Sequence, residues 1–139
     1  MTVVTKRLSI HTRREGDMTD ITGEVSEAVV ETQLQNGIVT VFVPGSTGAV
    51  TTIEHETGLL QDFPVMLERV APRNGEYEHE RRWHDGNGHS HVRASLIGPS
   101  LTVPFVNGRL TLGTWQQIIF MEFDVRSRVR HLVVQIIGE

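Results

Sequence analysis

The chain contains no cysteine. That absence excludes a disulfide scaffold and any thiolate metal site, leaving histidine, aspartate and glutamate as the available metal ligands. No apolar run approaches the roughly 20 residues needed to span a bilayer, so no membrane partner is expected. The first residues, Met1 to Leu8, lack the apolar core of a secretory signal, and cytoplasm is the expected compartment. Cations are not in surplus: 13 Lys and Arg against 17 Asp and Glu give a formal net charge of −4. No nucleic-acid partner is expected, because neutralising phosphates requires an excess of Lys and Arg. There is no Gly-Lys-Ser/Thr phosphate loop and no Gly-x-Ser-x-Gly elbow, so nucleotide hydrolysis and acyl hydrolysis lose their usual signals.

What is present is 139 residues, 38% hydrophobic and 22% charged, which reads as one globular domain able to bury its own core. No repeat or linker-like stretch divides it. Val3 to His11 alternates as a first strand. Asp20 is a candidate N-cap for a helix with Ile21, Val25, Ala28, Val29 and Thr32 on one face, stopped by Asn36-Gly37. Ile38 to Val43 is a short β-branched strand, Gly45 to Gly48 a polar loop, and Ala49 to Ile53 a further strand. Leu59, Phe63, Leu67 and Val70 mark a second helix, with a break expected at Pro64. Arg73 to Ser90 loses periodicity and reads as a long polar loop.

His91 to Gly98 fits a helix capped by Ser90 better than a strand. The remainder is β: Leu101 to Leu112 folds back at Asn107-Gly108, and Ile118 to Phe123 and Leu132 to Ile137 flank an Asp/Arg-rich turn. Arg126, Arg128 and Arg130 read as that turn's exposed face more than as an anion site. The pattern predicts α+β: an antiparallel sandwich- or barrel-like sheet with two to three helices.

His79, His84, His89 and His91 crowd one stretch, four of the seven histidines in the chain. On an extended segment His89 and His91 face one side and chelate a metal together with His79 or Glu54. On a helix they point about 200° apart, and only one joins a given site. His91 in a first helical turn also lies beside free amide donors, and the Asn87-Gly88 bend lets the backbone approach a phosphate. Ser46 and Thr47 offer hydroxyls in a loop after a strand, an arrangement open to phosphate binding or to a plain turn. Glu54-His55-Glu56 supplies either acid/base groups or a polar helix start. Trp115 offers a stacking face with Gln116 as a two-way hydrogen bonder, or serves as core with its indole N–H satisfied.

Tyr77-x-His79, Asn87-Gly-His-Ser-His91, Leu96-Ile-Gly98-Pro-Ser100, Val103-Pro104, Gly108 and Leu112-Gly-Thr-Trp-Gln116 together resemble the YjbQ family. These are small proteins linked to a secondary thiamine-phosphate synthase activity, and the resemblance runs over essentially the whole chain. It implies a sandwich-like α+β fold, a homotrimer with the site near subunit boundaries, and a site lined by His79, Asn87, His91, Ser100, Trp115 and Gln116. A divalent ion, zinc or magnesium, held by His79, His89 and His91 is implied as well. The chain departs from the family where many relatives carry His-Thr-Ser-Ala and then Asn-Glu. Here the matching stretches read Gly45-Ser46-Thr47-Gly48 and Ile53-Glu54, with His55 next door.

The expectation drawn from this resemblance is a thiamine-phosphate-synthase-like transferase joining a pyrimidinylmethyl diphosphate to a thiazole phosphate. In it Glu54, His79 and His91 serve metal or diphosphate. Ser46, Thr47 and Asn87 hold phosphate oxygens, and Trp115 with Gln116 holds the heterocycle. Two rivals share the same polar cleft: a metal-dependent hydrolase of a phosphorylated or cyclic amide substrate, and a non-catalytic trimeric small-molecule-binding module.

Overall fold

The computed structural model describes residues 1–139. Eight strands and four helices follow in the order β1 (Thr2–His11), β2 (Met18–Asp20), α1 (Thr22–Glu31), β3 (Asn36–Phe42), β4 (Gly48–Ile53), α2 (Leu59–Val70), α3 (Glu78–Trp83), α4 (Gly88–Ile97), β5 (Ser100–Val106), β6 (Arg109–Leu110), β7 (Gln117–Glu122) and β8 (Val129–Gly138). They form a five-stranded sheet in the order β1-β8-β3-β5-β6 and a three-stranded sheet in the order β2-β7-β4. Every pairing is antiparallel. The α+β antiparallel expectation is met, with one helix more than the two to three foreseen.

The two sheets face each other across the main core. Val39, Val41, Phe105, Leu132, Val134 and Ile136 of the large sheet meet Val50, Ile118 and Phe120 of the small one, and α1 adds Val25, Ala28 and Val29. Side chains alternate along β7, so Ile119 and Met121 point away from that core and join Ala49, Leu67 of α2 and Ala94 of α4 in a second cluster. The result is three layers, with the small sheet in the middle and the α2/α4 layer held against its outer face. That packing fixes where α4 presents its first turn. No helix is long and apolar enough to cross a membrane.

Several boundaries differ from the sequence reading, each for a physical reason. The first helix begins at Thr22, and Asp20 accepts the Thr22 N–H through Oδ1 at 3.0 Å from a strand position. Asn36-Gly37 does not stop that helix but opens β3. Gly37 is needed there because a Cβ would meet the Gly138 Cα at 2.7 Å and the Phe105 Cζ at 2.8 Å. α2 runs unbroken through Pro64. The ring forfeits one hydrogen bond, to the Leu60 carbonyl, while Leu67 beyond it anchors the helix in the second cluster. α4 starts at Gly88, ahead of Ser90, so His89 and Ser90 lie inside it. At the β5–β6 turn both Asn107 (φ 51°) and Gly108 (φ 73°) are left-handed, the geometry a two-residue hairpin turn demands.

Candidate metal centre

The stretch read as one long loop contains a short helix, α3, that buries none of its residues. It ends where His84 turns left-handed at φ 49° and Gly86 follows at φ 77°. Two carboxylates knit this reversal. Glu80 accepts the Gly86 N–H (2.9 Å) on one oxygen and the Gly88 N–H (2.7 Å) on the other. Asp85 accepts the Asn87 N–H at 3.0 Å. Glu80 therefore occupies the start of α4, where the sequence had suggested a ligand phosphate. Gly88 lies under Tyr77, with a would-be Cβ 2.7 Å from the tyrosine Cβ.

This packing sets α3 against the first turn of α4 and brings His79, Asp85 and His91 together. The His79 and His91 rings lie 4.5 Å apart at 62°. His79 Nε2 is 3.1 and 3.2 Å from the two Asp85 oxygens. One ligand atom from each of the three residues falls within 4.8 Å of the others. His91 Nδ1 is 3.1 Å from the Ser46 carbonyl oxygen. A carbonyl only accepts, so Nδ1 carries the ring proton and the Nε2 lone pair is left free. Backbone orientation of one ring nitrogen is the usual support for a metal-ligating histidine. The Asp85 carboxyl is held below its ordinary range, first by the Asn87 N–H and then by His79, which keeps it an anion.

A cavity of about 230 Å³ adjoins His91 and is lined by Gly45, Ser46, Gly48, Ala94, Ser95 and Pro99. Two imidazoles and one carboxylate, with His91 also in the cavity wall, are the donor types that three-ligand zinc sites use. The ligand atoms need only modest side-chain rotation, since tetrahedral zinc ligands at roughly 2.0–2.2 Å from the ion lie about 3.5 Å apart.

The remaining expected site residues go elsewhere. His89 does not join His91: its side chain is 3% exposed and its Nε2 contacts the Glu15 carboxylate. Helical geometry separates the two rings, as expected for residues two apart on α4. Thr47 is buried, donating to Asp124 Oδ2 and accepting from Arg130 Nη2, both at 2.9 Å. Asn87 is buried and accepts the Val125 N–H at 3.1 Å. Neither hydroxyl nor amide faces the cavity, so their assignment to phosphate oxygens is corrected. Ser100 opens β5 opposite Phe42, next to Pro99.

Glu54, Trp115 and Gln116 lie together at the other end of the small sheet. Gly48 pairs with Glu122 and Ile53 with Gln117, so the length of β4, about 17 Å at roughly 3.4 Å per residue, separates them from His91. Gln116 donates to Thr52 Oγ1 at 3.1 Å. Trp115 is 71% exposed, which corrects the core alternative for it. His55 is on that far end too, its N–H bonded to Gln117 (3.0 Å), and does not stand in for a histidine at Gly45.

Sequence reasoning missed Asp85. Its signal was its place midway between His79 and His91, inside a Gly-rich reversal that folds both histidines back on it.

The fold and this cluster define a small two-sheet α+β protein with a histidine–carboxylate site on a helix–turn–helix flank. The chain belongs to the UPF0047 YjbQ-like family, whose model matches residues 6–139. A UPF0047 protein of Methanothermobacter thermautotrophicus is 41% identical over 139 residues, covering 100% of this chain and 95% of that one. The UPF0047 protein YugU of Bacillus subtilis is 36% identical, covering 96% and 98%. A crystal structure of a YbjQ-like protein of unknown function from Sulfolobus solfataricus superposes with TM-score 0.93 at 34% identity over 99% of both chains. An uncharacterised conserved protein from Clostridium acetobutylicum superposes at 0.85 with 37% identity, over 95% of this chain and 99% of that one.

These findings correct the functional expectation. The relatives and structural neighbours are uncharacterised proteins of unknown function, and none carries a thiamine-phosphate synthase assignment. The geometry adds to the correction. Trp115 and Gln116, meant for the heterocycle, stand with Glu54 a strand's length from His91, so the residues meant for metal or diphosphate are themselves divided between the two ends.

Proposed function

We propose that this chain is a divalent-metal protein in which His79, Asp85 and His91 hold one ion. Its open direction faces a small phosphorylated ligand seated beside Ser46. The observation that carries this reading is the convergence of one ligand atom from each of the three residues to within 4.8 Å of the others. Imidazole donors favour zinc over magnesium, which prefers oxygen ligands and retained water. When bound, the ion supplies Lewis-acid polarisation of a ligand oxygen. The chain's own part is to orient His91 through the Ser46 carbonyl, to keep Asp85 ionised, and to shape the cavity with Gly45 and Gly48. A homotrimer belongs to the same proposal, and sedimentation equilibrium at three times the 15.6 kDa chain mass tests it.

Zinc titration of chelator-stripped protein, followed by calorimetry, checks the metal. One ion per chain is expected, with affinity down by about tenfold or more in Asp85→Asn and His91→Ala. His84→Gln leaves it unchanged. Zinc retained at full affinity after both histidines of the cluster are replaced sinks the proposal.

A further inference from the structure

On the far side of Pro44 from the His91 cavity lies a second one, of about 350 Å³, lined by Arg7, Arg128, Arg130 and His131 with Val129 and Val133. No carboxylate lines it. The acids that balance its arginines bind them from behind. Asp124 Oδ2 accepts from Arg128 Nε (3.2 Å) and Nη2 (2.8 Å). Glu122 Oε2 accepts from Arg130 Nε (2.8 Å) and Nη2 (2.6 Å). Both acids are fully buried. Each guanidinium is thereby fixed in direction with its Nη1 left over; that of Arg130, which points inward from β8, lies 3.2 Å from where a side chain would start at Gly45, in the wall of the His91 cavity.

Arg7 adds a charge with no counter-ion. It enters none of the chain's ion pairs. The nearest acid pair on its strand, Lys6 with Glu31, belongs to the opposite face of β1. In register, Arg7 stands opposite Val133 and Ser9 opposite His131, which sets Arg7 and His131 side by side on the outer face of the large sheet. His131 Nδ1 is engaged by Ser9 Oγ at 3.1 Å, leaving its Nε2 unused.

An outward-facing arginine without a counter-ion, beside His131 and in a cavity wall that holds two further arginines and no carboxylate, is the chemistry that recognises a tetrahedral oxyanion. Fork-shaped donors match phosphate oxygens, and a fixed fork loses little entropy on binding. Local positive potential in a walled cavity raises the ligand's local concentration even on a chain of net negative charge. We propose that this arginine cavity is a phosphate-binding site, taking inorganic phosphate or a phosphate monoester, distinct from the metal centre and independent of its ion.

The test is calorimetric titration of metal-free protein with inorganic phosphate. Saturable binding of one phosphate per chain is expected, weakened about tenfold in Arg7→Ala and partly kept in Arg7→Lys. Arg7 is exposed and unpartnered, so these variants fold. Asp85→Asn, which disables the metal centre, leaves phosphate binding intact, so failure of one proposal is separable from failure of the other. No saturable binding in the wild type overturns the inference, as does equal affinity in wild type and Arg7→Ala, or loss in Asp85→Asn.

Discussion

Asp124 is an ionised carboxylate with no solvent exposure. Burial works against its charge, but the Arg126 N–H, the Arg128 guanidinium and the Thr47 hydroxyl outweigh it and hold the carboxyl below its ordinary value of 3.8. The unfolded chain then takes up the proton more readily than the fold. The stabilisation is complete above that ordinary value and is lost as pH falls through it toward the folded pKa. Glu122 has the opposite sign: burial raises it, partly offset by Arg130 and Thr12, so its ionisation weighs against the fold and acid relieves it. Urea midpoints measured between about pH 3 and 7 are expected to fall at the acid end in the wild type. Asp124→Asn is expected to be less stable at neutral pH and to show a shallower acid slope, the remainder including the part due to Asp85. Little of this was legible beforehand. Arg126, Arg128 and Arg130 look alike in sequence, and only the pairing of Ile10 with Arg130 shows that the third points inward. Asp85 was hidden for a similar reason, since the turn that returns it to both histidines depends on Glu80 binding two amides.

The elements themselves were largely readable, because burial imposes a period and turns need particular residues. β7 reads as a continuous apolar run since both its faces are covered, and Asn107-Gly108 announces its hairpin. α3 was not readable: six residues with no buried side chain leave no apolar stripe to detect. Its order rests on Glu80, Tyr77 and the contact of His79 with His91. Packing therefore contributes little to holding α3, and under the proposed function ligation through His79 supplies what packing does not. Amide hydrogen exchange in Glu78–Trp83 is expected to be fast in stripped protein and to slow markedly with zinc, as linkage of binding to local order requires. Equal exchange with and without zinc would show that His79 does not tie α3 to the ion.

At the scale of the whole molecule, the two hydrophobic clusters share one strand. Ile118 and Phe120 of β7 belong to the core between the sheets, and Ile119 and Met121 to the cluster under α2 and α4. Losing either cluster exposes the other side of the same backbone, so the α2/α4 layer cannot melt as a separate unit. Calorimetric and van't Hoff enthalpies of thermal unfolding are expected to agree, provided the oligomeric state is held constant. A low-temperature shoulder that disappears in a variant lacking Leu67 packing would contradict this.

The bond from His91 to the Ser46 carbonyl comes from the main chain. A main-chain acceptor survives every side-chain replacement at its own position. Position 46 can therefore drift, changing which ligand the cavity favours, while the ring beside it keeps its tautomer and aim. Under the proposed function, ligand selectivity and metal geometry are thereby uncoupled at that residue.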